Sequence, residues 1–226
     1  MPCPICGKRK AERFCPPKGE KICAICCGTE REVTIDCPSS CPYLIAAHRY
    51  EQRHPRTFSP EDIPFRDVGI SGDLIYERRK VVSLLAFTIL KFAAEHNGAL
   101  VDTDAIAALA SLAETYRTLG SGILYEKPPE APLPQALYAA LAKAIEEAKK
   151  DEAGHAGSSP DTALVERASG LDAVKDAELF QLFVFLLRVG LSHTNGRPRA
   201  RIFLEYLRAQ FPQGAPADEA PRIIMP

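Results

Sequence analysis

Beyond Cys41 this chain has no cysteine, so neither disulfides nor thiolate metal sites can form within its larger, C-terminal part. An excess of charge of one sign is also lacking. The formal net charge is −1, and no global field selects nucleic acid or a membrane surface as partner. Long apolar runs are missing too. The longest mainly apolar stretches, 81–90 and 182–187, fall short of the ~18–20 residues needed to cross a bilayer, which argues against a membrane-bound form. H-E-x-x-H, G-x-S-x-G, a P-loop and a dinucleotide-binding glycine run are all absent. The five histidines, His48, His54, His96, His155 and His193, are scattered. These absences point away from an enzyme, and no catalytic residue is assigned. With 46% hydrophobic and 25% charged residues, the composition is that of an ordinary soluble globular protein.

What the sequence does have is eight cysteines, all within residues 1–41: Cys3, Cys6, Cys15, Cys23, Cys26, Cys27, Cys37 and Cys41. Embedded among them is C-x2-C-x16-C-x2-C, a separation suited to four-thiolate metal sites. Cys3-Pro4-Ile5-Cys6-Gly7-Lys8 and Cys23-Ala24-Ile25-Cys26-Cys27-Gly28 read as knuckles. In a knuckle, two intervening residues let one tight turn aim both sulfurs at a single ion, about 2.3 Å from each. The following glycines, Gly7 and Gly28, are expected to supply a left-handed residue at the turn. Between the knuckles, residues 11–14 and 20–22 flank Pro16-Pro17-Lys18-Gly19 and read as a short hairpin.

Two four-thiolate sites would use every cysteine. Cys3, Cys6, Cys23 and Cys26 are assigned to one ion, and Cys15, Cys27, Cys37 and Cys41 to a second. The adjacent Cys26 and Cys27 leave this partition open to exchange, and His48 is an alternative ligand, though its position reads better as a surface residue of a helix. Zinc, two ions per chain, is the expected metal, with iron the rival at the first site. The interleaved ligand order resembles zinc ribbons and the cross-braced binuclear fingers of the B-box, MYND and HIT kind. The resemblance covers residues 1–41 and departs at the end, where Cys37-x3-Cys41 replaces the histidines those families use. It implies a structural metal module. The chain opens Met1-Pro2-Cys3, directly into this module, and clustered cysteines serve as metal ligands where thiols stay reduced, so a cytoplasmic location is expected.

The remainder reads as helical. A helix is expected from Pro42 to His54, a linker over 57–72, and an all-α bundle of five or six helices over 73–211, followed by a flexible tail, 212–226. Within the bundle, 73–96 and 172–193 read as central apolar helices and 133–150 as an amphipathic one. Asp102 or Asp104 caps the next helix after Gly98, Ser159-Pro160 starts a short one, and 198–211 forms the last. Phe87, Phe92, Phe180, Phe183 and Phe185 read as core. His193-Thr194-Asn195-Gly196, with Arg197, Arg199 and Arg201, reads as a helix terminus carrying cationic charge.

Function is less legible. Residues 1–56 hold ten lysines and arginines against six acidic residues, a formal +4 before any thiolate is counted. Lys8, Arg9, Lys10, Arg49 and Arg53 are the candidate contact surface. A metal-stapled adaptor or regulatory protein that recruits a protein partner is the leading reading. Nucleic-acid binding is the alternative, and a thiol redox or metal sensor comes third.

Overall fold

The computed structural model describes residues 1–54, 57–120, 122, 125–154 and 174–212. It is mainly helical, with one two-stranded sheet among the described residues, as the sequence led us to expect. Strands β1 (Arg13–Cys15) and β2 (Glu20–Ile22) form the antiparallel hairpin, with Phe14 opposite Lys21. The turn between them is a 3-10 segment, Pro16–Lys18, ended by Gly19 at φ 66°. Helix α1 (Ala24–Glu30) follows directly, where the sequence suggested only a second knuckle. Gly28 therefore lies inside a helix and is not a left-handed turn residue, whereas Gly7, at φ 64°, is one.

Helix α2 (Pro42–Arg53) starts as expected, with Cys41 as N-cap and Pro42 at the first helical position, where its missing N–H costs nothing. The apolar stretch expected as one helix is two: α3 (Gly72–Glu77) and α4 (Arg79–Glu95), broken at Arg78. Asn97 and Gly98, both at positive φ, then end α4. Helices α5 (Asp102–Leu119), α6 (Pro132–Gly154), α7 (Asp176–His193) and α8 (Ile202–Gln210) complete the bundle. The short helix expected at Ser159 and the tail beyond Pro212 lie outside the described residues.

Helices α5 and α7 make the most extensive pair, and α6 packs on α4 and α5. Their core is Leu85, Ile89, Leu109, Leu112, Leu137, Leu141, Ile145, Leu179, Phe183 and Phe203, all shielded from solvent. Phe87, read as core, is instead 43% exposed on a groove between α4 and α6. The finger has a separate, much smaller cluster in which Ile22 and Ile35 are surrounded by cysteines. So few apolar groups cannot hold a fold of that size by burial alone.

The segment expected as a linker is fastened along α7. Arg188 donates to the carbonyls of Pro64, Phe65 and Val68, Gln181 donates to that of Gly69, and Phe65 meets Phe180 edge-on at 5.4 Å. Asp104, as expected, reaches back to its helix start and accepts from the Val101 N–H. Asp102 does not cap its own helix. Fully buried, it accepts from the N–H groups of Phe203 and Leu204 and so caps α8, while its own N–H donates to the Ala200 carbonyl.

Gly190 of α7 sits where three helices converge. A Cβ there would lie 3.2 Å from Ile106 Cγ1 and 3.2 Å from Phe203 Cε1. Gly190→Val is expected to destabilise the bundle by about 1–3 kcal/mol through overpacking. Thermal melting followed by circular dichroism checks this; an unchanged midpoint would mean that α5, α7 and α8 have room to spare there.

Candidate metal centre

One Cys group among the described residues gathers its sulfurs tightly. The Sγ atoms of Cys3, Cys6, Cys23 and Cys26 all lie within 4.8 Å of one another, and the group can hold a metal ion. All eight cysteines are free thiols. The local chain explains the convergence. The Gly7 N–H donates to the Cys3 carbonyl at 2.7 Å and closes the first knuckle. Cys23 is the N-cap of α1, its sulfur accepting from the Cys26 N–H at 3.4 Å, and the first turn of α1 brings Cys26 onto the same side. The Cys23 N–H in turn donates to Cys3 Sγ at 3.2 Å, tying the two knuckles together.

The electrostatics suit a cation. Backbone N–H groups of Lys8 and Arg9 hold the Cys6 thiol down to about 6. Against the cost of burial, the N–H groups of Cys23, Cys6 and Ile5 keep Cys3 below its ordinary value. Cys26, by contrast, is pushed up to about 12 by burial and by the neighbouring sulfurs, since four thiolates so close repel one another. A bound cation removes that repulsion. With sulfur as the donor throughout and N–H groups on several of the thiolates, the residues fit zinc or another thiophilic metal.

Cys15, Cys27, Cys37 and Cys41 are less tightly drawn, and no further group of this kind meets the same limit among the described residues. Burial first, and then the charges of Cys41 and Cys15, raise the Cys37 thiol. His48 is not the surface residue its sequence position suggested. It is 8% exposed, with Nε2 3.0 Å from Glu32 Oε1 and Nδ1 3.8 Å from Glu205 Oε2, so carboxylates occupy both ring nitrogens. Lys8, Arg9, Lys10, Arg49 and Arg53 are all exposed, the first three on the first knuckle and the others on α2. No hydrogen bond, ion pair or ring contact among the described residues joins the two sets.

The polar stretch after α7 has a role that its sequence did not disclose, because it is the seat on which the finger docks. The Arg197 guanidinium donates to the carbonyls of Gly28, at 3.0 Å, and Arg31, thereby capping the C-terminal end of α1. The Arg199 N–H donates to the Glu32 carbonyl at 2.9 Å, and Arg201 pairs with Asp36 at 2.6 Å. Asn195 Nδ2 bridges Glu32 and Glu51 at 2.9 and 3.3 Å, while Arg31 pairs with Glu51 at 3.1 Å. Glu32 stands at the centre, 2% exposed and at φ 55°. Arg31, Glu32, Glu51 and Glu205 escaped sequence reading, and Asn195 was read only as part of a helix terminus, because nothing in their spacing marks this role; the approach of residues more than a hundred positions apart does.

His48 is pulled down by burial but pushed up to about 9 by Glu205 and Glu32, whereas Glu32 lies below its ordinary value despite burial because of His48. Since the raised value belongs to the folded state, the His48 contribution is complete below its ordinary value of 6.5 and disappears as pH rises through about 9. His48→Gln should melt below wild type at pH 6 and close much of that gap by pH 9.5. Melting of both proteins across this range checks it, the thiols cancelling in the difference. Compared with protein-family models, with curated proteins and with solved structures, the chain has no match.

Proposed function

We propose that this protein is a non-catalytic zinc-binding adaptor or regulatory protein, in which a finger fixed to a helical frame recruits a protein partner. The observation carrying this reading is the quartet of sulfurs within 4.8 Å. Four thiolates complete the tetrahedral shell of zinc and leave no position for water or substrate, so a site of this kind holds a fold and does not turn anything over. Docking supports the reading further, because the finger is presented in one orientation and its outer residues form a defined surface.

A second zinc at Cys15, Cys27, Cys37 and Cys41 belongs to the proposal, and the effect of the Cys41 and Cys15 charges on the Cys37 thiol supports it. So does a reducing, cytoplasmic setting, in which the thiolates remain available to metal. Lys8, Arg9, Lys10, Arg49 and Arg53 form the proposed contact surface. Phe14, 54% exposed on the hairpin, adds an apolar anchor beside Lys21. That pairing of an exposed aromatic with cations also favours the second reading, in which the same surface binds single-stranded nucleic acid.

Elemental mass spectrometry on protein purified without added metal should find zinc near two per chain, and Cys3→Ser should lose at least one. A chain carrying iron, or no metal, would overturn the assignment. Charge reversal at Lys8, Arg9 and Lys10 should abolish capture of a protein partner. Binding to an oligonucleotide that weakens steeply with salt would instead move the function to the second reading.

A further inference from the structure

We propose that metal binding at Cys3, Cys6, Cys23 and Cys26 and docking of the finger on the bundle are one linked equilibrium, with α1 and residues 194–201 as the connector and Glu32 and Arg197 as the joint. The proposal rests on the reading of that quartet as a metal site.

Helix α1 has seven residues and is about 10 Å long. Such a helix has almost no stability of its own, because nucleation is costly and few hydrogen bonds follow. It persists because both ends are held. Cys23 and Cys26, two of the four prospective ligands, define its first turn. At the other end, carbonyls that have no partner within the helix receive the Arg197 guanidinium. Loss of either anchor weakens the helix that presents the other.

Glu32, two residues beyond α1, makes the joint sensitive. A left-handed backbone at a non-glycine residue is strained and survives only where its surroundings over-determine it. Here they do. The carboxylate accepts from His48 and Asn195, the carbonyl accepts from Arg199, and the N–H donates to Ile35. Undocking removes the partners that come from the bundle, Asn195 and Arg199, and leaves fewer contacts to hold that backbone conformation.

On the bundle side the same connector, residues 194–201, runs into α8, whose first amides are capped by the buried Asp102. A continuous set of hydrogen bonds thus leads from the cysteine sulfurs through α1, Arg197 and Ala200 to Asp102. Coupling of this kind is reciprocal. Metal orders the connector, and connector residues that are bonded to no cysteine sulfur tune metal affinity. Metal occupancy therefore decides whether the bundle face beneath the finger, with Asn195, Arg197 and Arg199, is covered.

The test uses the full chain and zinc itself. Zinc affinity, measured by competition with a chromophoric chelator, should fall roughly tenfold or more in Asn195→Ala combined with Arg197→Ala. Hydrogen exchange on the wild type should show the amides of Arg199, Ala200, Phe203 and Leu204 exchanging faster once zinc is removed. Affinity within twofold of wild type in a variant whose bundle is folded by circular dichroism would overturn the linkage, as would exchange indifferent to zinc. If the double variant fails to fold, the wild-type exchange decides. A wild type that binds no zinc sinks the metal reading itself; one that binds zinc with an unresponsive connector sinks only the linkage.

Discussion

Mutual repulsion among thiolates is the constraint from which the rest of the finger follows. Four sulfurs within 4.8 Å of one another cannot all ionise comfortably, and burial together with the neighbouring sulfurs pushes the Cys26 thiol up. A cation among them would convert that repulsion into the main cohesive force of a module whose apolar cluster is too small to hold it. The knuckle turn at Gly7, the N-cap at Cys23 and the cross-tie from the Cys23 N–H to Cys3 all place sulfur at this one point.

The second organising element is a patch of exchanged polar groups between finger and bundle. Burying charge is costly unless each group is paired and hydrogen-bonded. Glu32, His48 and Glu51 meet this condition through one another, Arg31 and Asn195, whereas Arg31 pairs with Glu51 but keeps its Nε buried without a hydrogen-bond partner among the described residues. The geometry of the interface is set by directional donors. Arg197 is central to it, because a guanidinium can serve two converging carbonyls at once. An orientation specified in this way is well defined, and it gives way when the donors or the helix that presents the carbonyls are lost.

Reading the chain residue by residue recovered much of this. The cysteine spacing located the quartet, the Pro-Pro-Lys-Gly turn located the hairpin, and helical periodicity located α2 and the helices of the bundle. Each is a local property, fixed within a few residues by turn geometry, capping or a periodic apolar stripe. The failures share a cause as well. Gly28 was read from its place after a cysteine pair, but α1 continues through it. His48 was read from a polar stretch of helix, but Glu32 and Glu205 cover it. Asp102 sits at the start of one helix and caps another. Residues 57–72 have the composition of a linker, yet Arg188 and Gln181 bind their carbonyls.

By itself, then, the sequence determined that a cysteine cluster spaced to hold a metal precedes a helical region, since ligand spacing and hydrophobic period are written along the chain. Only the tertiary structure decided how the two are joined. The contacts that join them, Arg197 to Gly28 and Arg31, Asn195 to Glu32 and Glu51, and Arg201 to Asp36, span more than a hundred residues. They join ordinary polar side chains whose pairing has no period and no motif. Their meaning appears only when folding brings the helix ends together, because a hydrogen bond depends on distance and angle and not on sequence separation.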